Sequence, residues 1–231
     1  MKKLVDYSGF SLKKLGEPRF RHLLLALGWV WYFLMYVLTE NLIPPESCHP
    51  VHILLDDLIP FNEYFAVFYV AWYPLVFFSL LFALLYDVDK FKHMQKFIIV
   101  TQVVAMICYI LWPSRQDLRP EQFPRENFFT WIMGIIYSVD TPTGVCPSLH
   151  VAYSLGILSA GLKDRDLGRV WKVLLILLVV MISLSVCFVK QHSALDVLTA
   201  LPLSLLAEIL VYGRDWWLPR LKRRIASRAM R

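Results

Sequence analysis

Six long apolar stretches dominate this sequence, and a chain with that pattern folds within a membrane. They cover residues 22–43, 63–86, 96–113, 148–162, 170–189 and 193–213. A helix needs about 20 apolar residues to cross the hydrocarbon core of a bilayer. Hydrophobic residues make up 58% of the chain and charged residues 18%, a composition that excludes a soluble nucleic-acid-binding domain and a disordered chain. The sequence therefore predicts an all-α bundle of six transmembrane helices that forms one integral membrane domain over residues 1–231.

Two apolar segments differ from ordinary spans. The stretch 148–162 is short and contains the small residues Ser154, Gly156, Ser159 and Gly161. Small residues allow helices to approach closely, so we expect this helix to lie inside the bundle. Residues 127–139 are too few to cross the bilayer and predict an additional interfacial or re-entrant helix.

The distribution of lysine and arginine predicts the topology. Six of the 24 precede the first span, three lie between spans two and three or at the start of span three, four lie between spans four and five or at the start of span five, and seven follow span six. The positive-inside tendency assigns these segments to the cytoplasm, together with both termini. The basic N-terminal segment 1–21 is thus cytoplasmic, and the basic tail 214–231 predicts an interfacial helix on anionic lipid.

The remaining cations are Arg115, Arg119, Arg125 and Lys190, and they fall on the opposite side. Arg119 follows span three, and Lys190 lies directly before span six. A surface position in an outer loop explains any single one of them. Because the motifs described next lie at the same end of the bundle, we expect Arg119 and Lys190 to belong to a site there.

The first of these motifs is His192-Ser-Ala-Leu-Asp196 at the start of the last span. Residues four apart share a helix face, so the carboxylate can fix the imidazole tautomer and stabilise its protonated form. The motif alone is weak evidence, since many such pairs are structural. An ionisable group inside an apolar helix is nevertheless costly and is a functional candidate by default.

The second motif is Cys146-Pro147-Ser148-Leu149-His150, which opens the fourth apolar stretch. Proline suits a first helical turn, whose free amides favour an anion such as phosphate. Ser148 adds a hydroxyl and His150 a proton donor or acceptor. With Arg119 and Lys190 on the same side, the segment predicts a phosphate site, although a capped helix with a membrane-interface histidine is the simpler explanation.

The order Arg-Pro, Pro-Ser-x-His and His-x-x-x-Asp on a six-span chain resembles the type 2 phosphatidic acid phosphatase (PAP2) superfamily of lipid phosphatases and phosphotransferases. The motifs cover roughly residues 100–205. The resemblance implies that His192 is the nucleophile, Asp196 its orienting acid and His150 the general acid. It also implies that Arg119 binds phosphate, with Ser148 in the cradle, and that no metal or other cofactor takes part.

Several positions depart from the pattern of the phosphatase branch. Trp112, Val186 and Leu149 stand where that branch has lysine, arginine and glycine, and Lys190 is a candidate to supply the missing cation. The segment from Lys190 to Val197 looks closer to the branch of inositol-phosphorylceramide and sphingomyelin synthases. The choice between hydrolysis and headgroup transfer therefore stays open.

The expected function is a metal-independent phosphatase that acts on a lipid phosphate or diphosphate at the extracytoplasmic face through a phosphohistidine intermediate. The alternative is headgroup transfer to an alcohol acceptor. The partner is thus a lipid phosphate in the membrane, with no nucleic acid and no obligatory protein partner. The compact size and outward-facing site favour a bacterial plasma membrane.

Three other classes of function compete with this one. A metal hydrolase would use His150, His192 and Asp196 as ligands, and a lipid transporter would use the six spans without chemistry. An intramembrane serine protease would need a serine paired with a histidine at depth, and no serine lies in a recognisable nucleophile turn.

Other polar residues of the outer loops have two interpretations each. Cys48 and Cys146 either form a disulfide or are free thiols. The histidines and aspartates at positions 49, 52, 56 and 57 indicate either a metal site or a solvated loop. Asp140 and Thr141 are interpreted as helix-boundary or turn residues.

Overall fold

The computed structural model describes residues 3–229 and is almost entirely helical. Its helices are α1 (Leu27–Leu42), α2 (Leu54–Leu58), α3 (Ala66–Tyr86), α4 (Val88–Leu111), α5 (Phe128–Val139), α6 (Leu149–Lys163), α7 (Arg169–Phe188), α8 (Ala194–Tyr212) and α9 (Leu218–Ala229). Short 3₁₀ turns cover Leu12–Lys14, Arg21–Ala26, Pro45–Ser47 and Glu63–Phe65, and a π-helical turn, Gly213–Trp217, joins α8 to α9. The two short strands are β1 (His49–Pro50) and β2 (Ser114–Arg115), which pair in parallel.

Five helical segments are long and apolar enough to cross a membrane. They are Arg21–Leu42, Glu63–Tyr86, Val88–Leu111, Arg169–Phe188 and Ala194–Ser227. The predicted membrane bundle is confirmed for these five segments. The orientation of the termini and the crossing by the fourth predicted stretch stay predictions.

That fourth stretch forms α6, a helix of 15 residues. At 1.5 Å per residue it is about 22 Å long, shorter than the hydrocarbon core of about 30 Å. Buried residues occur along its whole length, and it packs against α3, α4, α7 and α8. A Cβ atom at Gly156 would lie 2.5 Å from the Phe97 ring, and one at Gly161 would lie 2.5 Å from Leu175. The small residues therefore permit the close packing that their spacing predicted.

Helix α4 begins eight residues earlier than the apolar stretch predicted. The Asp87 side chain accepts a hydrogen bond from the Lys90 amide at 3.1 Å and caps the helix. The first two turns mix charged residues with the buried Phe91 and Met94. Hydropathy alone missed this amphipathic beginning because the charged residues lower its average.

Loops from distant parts of the chain meet at one end of the bundle, here called the site end. Strand β1 follows α1, and β2 follows α4. Arg115 also bridges to Thr143, and the Cys146 amide donates to the Ser114 hydroxyl at 3.1 Å. The predicted short helix is confirmed as α5, which Asn127 caps by accepting bonds from the amides of Phe129 and Thr130. These contacts hold the loops over the first turns of α6 and α8.

Candidate active site

The turn between α7 and α8 brings His192 and Asp196 together. The amides of Gln191 and His192 both donate to the Val186 carbonyl, at 2.9 and 3.0 Å. Ser193 then caps α8, and Asp196 Oδ2 accepts the Ser193 amide at 3.0 Å. The same carboxylate oxygen lies 3.1 Å from His192 Nδ1. Asp196 is completely buried and His192 is 8% exposed, so the pair is shielded from solvent.

A second buried carboxylate holds this turn from the short helix α2. Asp56 Oδ2 accepts the Ser193 hydroxyl at 2.6 Å and the Ile53 amide at 2.9 Å, while Oδ1 accepts the Ala194 amide at 2.7 Å. Asp56 is only 3% exposed. The sequence interpretation placed it in a solvated or metal-binding loop and missed this role, because the partners are more than 130 residues away.

Lys190 is part of the same connection. Its backbone has a φ of 53°, in the left-handed region that non-glycine residues adopt at a cost. Its ammonium group donates to the main-chain carbonyls of Asp56, at 3.1 Å, and of Ile59. Lys190 thus fastens the turn to α2, and a phosphate-binding role for it stays a prediction that requires these bonds to break.

The first turn of α6 lies against the first turn of α8. The Ser148 amide donates to the Asp196 carbonyl at 3.1 Å, and the Tyr109 hydroxyl donates to the Pro147 carbonyl at 2.7 Å. Ser148 is the N-cap, so Pro147 precedes the helix instead of lying in its first turn. The ring centroids of His150 and His192 are 5.7 Å apart, inclined at 65°. The two predicted catalytic histidines therefore share one site.

His150 lies among the rings of α3. Its ring centroid is 4.7 Å from that of Tyr69, in a stacked arrangement, and 4.2 Å from that of Trp72. These rings exclude water from one side of the imidazole. An acid–base group in such surroundings exchanges protons mainly with whatever is bound beside it.

Arg119 approaches the histidines through the side chain of Gln191. Its guanidinium donates to Gln191 Oε1 at 2.5 Å, to the Asp140 carbonyl at 2.9 Å, and to the carbonyls of Tyr137 and Thr141 at 3.3 Å. Burial lowers the pKa of the Arg119 side chain, and the negative charge of Asp140 opposes that effect. An arginine nevertheless remains charged in a protein. Gln191, missed by the sequence interpretation, links the predicted phosphate-binding arginine to the turn that carries His192.

Asp140 is more than a turn residue. Its side chain accepts hydrogen bonds from Gln191 Nε2 at 3.1 Å and from the Tyr36 hydroxyl at 3.4 Å. Burial raises the pKa of this carboxyl group, although the charges of Arg119 and His192 oppose the shift. Asp140 directly follows α5, and its position beside the arginine depends on contacts that no local pattern shows.

Four buried polar atoms of the predicted site residues make no hydrogen bond within residues 3–229. They are Arg119 Nε, Ser148 Oγ, His150 Nε2 and Asp196 Oδ1. A buried polar group without a partner costs free energy, and most proteins contain few of them. Seven other buried polar atoms of the described residues also lack a partner, but these four belong to residues of three separate segments that meet beside the two histidines, as expected of a candidate site.

An apolar cavity of about 680 Å³ begins at this site and runs between α1 and α3. Asp140 and His150 lie at one end, and Leu84 and Phe91 at the other. From Trp72 to Leu84 it follows α3 for about 18 Å. Its volume falls within the usual range for ligand pockets, about 300–1,000 Å³. Its length and apolar lining suit a hydrocarbon chain.

The other outer-loop residues form local contacts. His49 stacks on Trp112 with centroids 5.5 Å apart, and His52 pairs with Asp57 at 2.8 Å. The described residues contain no group of three or more potential metal ligands. All four cysteines are free, so Cys48 and Cys146 are not joined by a disulfide.

Comparisons with protein-family models, with curated proteins and with solved structures found no match. The fold itself defines a helical membrane protein. Its candidate site is a buried and a partly buried histidine beside an arginine, at the end of an apolar cavity.

Proposed function

We propose that this protein transfers phosphoryl groups of membrane lipids without a metal ion, by way of a phosphohistidine. The observation that carries the proposal is the convergence of His192–Asp196, His150, Ser148 and Arg119, with one unpartnered buried atom in each of the last three and in Asp196. This set is the one expected from the resemblance to the PAP2 superfamily. Contacts between residues far apart in the chain bring its members together.

In the first step His192 Nε2 attacks the phosphorus atom. With Nδ1 protonated and directed at Asp196, Nε2 carries the lone pair, and the carboxylate stabilises the positive imidazole that forms. A nitrogen–phosphorus bond forms while the bond from phosphorus to the lipid oxygen breaks. His150 gives its proton to that leaving oxygen.

In the second step an incoming hydroxyl group releases the phosphoryl group. His150 takes the proton of water, the oxygen binds phosphorus, and the nitrogen–phosphorus bond breaks to regenerate His192. Arg119 and Ser148 hold the phosphoryl oxygens throughout. Positioning and charge stabilisation supply most of the rate enhancement in phosphoryl transfer.

The cavity favours transfer to a lipid alcohol as the second candidate function. His150 lies on the cavity wall beside Trp72 and Tyr73, so the hydroxyl of a lipid held there would reach the imidazole. The first step is unchanged, and an alcohol replaces water in the second. The site geometry is compatible with both acceptors.

The test is release of inorganic phosphate from a panel of lipid phosphates by purified protein in detergent with excess chelator. We expect release by the wild type, no release by His192→Ala, and a loss of about 100-fold or more for His150→Phe, which keeps a ring in the aromatic pocket. His93→Phe is the matched control, because His93 also stacks on a tyrosine, Tyr212, at the opposite end of the bundle. Undiminished release by His192→Ala would exclude the proposal.

A second assay separates the two acceptors. The panel is repeated with diacylglycerol, ceramide or inositol, and formation of a phosphorylated or headgroup-bearing product is followed. Transfer with little free phosphate would assign the protein as a phosphotransferase, whereas phosphate release unaffected by acceptors would assign it as a phosphatase.

A further inference from the structure

Asp140 places a carboxylate on the cavity wall. Among the described residues that line the cavity, no other aspartate or glutamate and no lysine or arginine occurs. Among the residues that the structure describes, this carboxylate accepts hydrogen bonds from two neutral donors, Tyr36 and Gln191. Arg119 donates to the main-chain carbonyl of Asp140 instead. In residues 3–229 no lysine, arginine or histidine nitrogen lies within the 4.0 Å ion-pair distance of this carboxylate.

A half-buried carboxylate that is in direct contact with no cation is less well stabilised than an ion-paired one, and the surrounding groups suit a positively charged ligand. Tyr32, Tyr36, Trp72 and Tyr73 line the same cavity. Faces of aromatic rings attract ammonium groups, and the attraction grows when water is excluded. The wall therefore combines one negative charge with several ring faces.

The position of Asp140 also limits where a bound ammonium group lies on a substrate. Asp140 and His150 line one cavity, so the ammonium is on the same side as the leaving alcohol that His150 protonates. The Gln191 side chain joins Asp140 to Arg119, the phosphate side of the site. The ammonium and the phosphate are thus separated by a short link, as in an ester of a 2-amino alcohol.

We propose that the site binds a lipid phosphate ester of a 2-amino alcohol, with the ammonium group on Asp140 and the hydrocarbon chain in the cavity. The proposal rests on the proposed function for the position of the phosphate. The same chemistry occurs in a sphingoid-base phosphate and in an ethanolamine phospholipid. The first places the long chain next to the amine, and the second places the amine in the headgroup.

The first experiment measures binding without chemistry. 2-Aminooctadecan-1-ol and octadecane-1,2-diol have the same chain and differ only in having an ammonium or a hydroxyl group at carbon 2, and Trp29 and Trp72 in the cavity wall report binding through their fluorescence. In the full-length wild type in detergent, we expect the amine to bind about tenfold more tightly than the diol. Asp140→Asn should remove this preference and leave diol binding unchanged.

Glu40→Gln is the matched control. Glu40 is a second carboxylate at the site end, but it accepts bonds from Thr141 and Thr143 and does not line the cavity. This variant should keep the amine preference. Equal binding of the two ligands by the wild type would overturn the proposal, even if Asp140→Asn failed to fold. An Asp140→Asn variant that loses amine binding and diol binding equally would also overturn the proposal.

The second experiment measures turnover and distinguishes the sources. Phosphate release is compared for sphinganine 1-phosphate and a lysophosphatidic acid, and release of ethanolamine, the leaving alcohol that carries the amine, is followed for phosphatidylethanolamine. Preference for either amine-bearing lipid, lost in Asp140→Asn, supports the proposal and identifies the source. Turnover without amine preference overturns the cation site and leaves the proposed function standing. Amine binding with no turnover of any lipid supports the cation site and overturns the proposed function.

Discussion

Asp196 Oδ2 lies 3.1 Å from His192 Nδ1 and also accepts the Ser193 amide, so one buried oxygen both orients the imidazole and caps α8. The orientation of the histidine is thereby built into the start of the helix. Chemistry and local folding depend on the same carboxylate.

Replacing Asp196 by asparagine should separate these two roles. The amide oxygen can still cap α8, but a neutral group cannot stabilise a positive imidazole. We expect turnover to fall by about 100-fold to 10,000-fold in the phosphate-release assay while the fold persists. Asp57→Asn, which alters the exposed His52–Asp57 pair, is the control and should retain activity. Near-normal turnover by Asp196→Asn would show that the pair is only structural.

Asp56→Asn should weaken the connection between α2 and the catalytic turn. Both carboxylate oxygens accept hydrogen bonds, and an amide nitrogen in place of one of them faces a donor. We expect the free energy of unfolding to fall by about 1–3 kcal/mol, measured by denaturant titration in detergent. Asp117→Asn, which changes an exposed carboxylate paired with Arg115, should have little effect. Equal stabilities of the two variants would contradict the role assigned to Asp56.

The raised pKa of Asp140 predicts a pH-dependent stability difference. A carboxyl group whose pKa is higher in the folded state contributes stability below its ordinary value, 3.8, and loses that contribution as the pH rises through the folded pKa. Asparagine has no such titration. The Tm of Asp140→Asn minus that of the wild type should therefore become more positive from about pH 4 to about pH 8. A difference that is constant, or that moves the other way, would refute this assignment.

Gly156→Ala should destabilise the packing of α6 on α4. The added Cβ would lie 2.5, 2.8 and 3.1 Å from three atoms of the buried Phe97 ring. Overpacking of this kind costs about 1–3 kcal/mol, which denaturant titration would detect. Gly134→Ala in α5 is the control, since its Cβ would meet Phe123 at 3.7 Å, an ordinary contact. The expectation fails if the two variants are equally stable.

Apolar segments were the most predictable part of the fold. Hydropathy placed α3 and α7 within a residue or a few residues of their observed bounds, because their sequences are uniformly apolar. It shortened α4, whose first turns are amphipathic. Hydropathy predicted more membrane spans than the structure supports. The difference is α6, which has only 15 residues and is largely enclosed by other helices.

Local motifs predicted the core of the site but not its supports. His192 lies in the turn just before α8 and Asp196 in the first turn of that helix, so their short spacing was sufficient to predict the pair. Asp56 and Gln191 act through partners far away in the sequence, and no local pattern marks them. Lys190 was expected near the phosphate from its charge, whereas its ammonium group is bonded to loop carbonyls. Charge and position in the sequence do not determine where a flexible side chain points.

The most direct measurement is detection of the covalent intermediate. Wild-type protein is mixed with a radiolabelled lipid phosphate in the presence of chelator, quenched in base within the first turnover, and analysed by peptide mass spectrometry. The account predicts a base-stable, acid-labile phosphoryl group on His192 that forms at least as fast as product and is absent from His192→Ala. Turnover with no such adduct, or with the phosphoryl group on another residue, would contradict it.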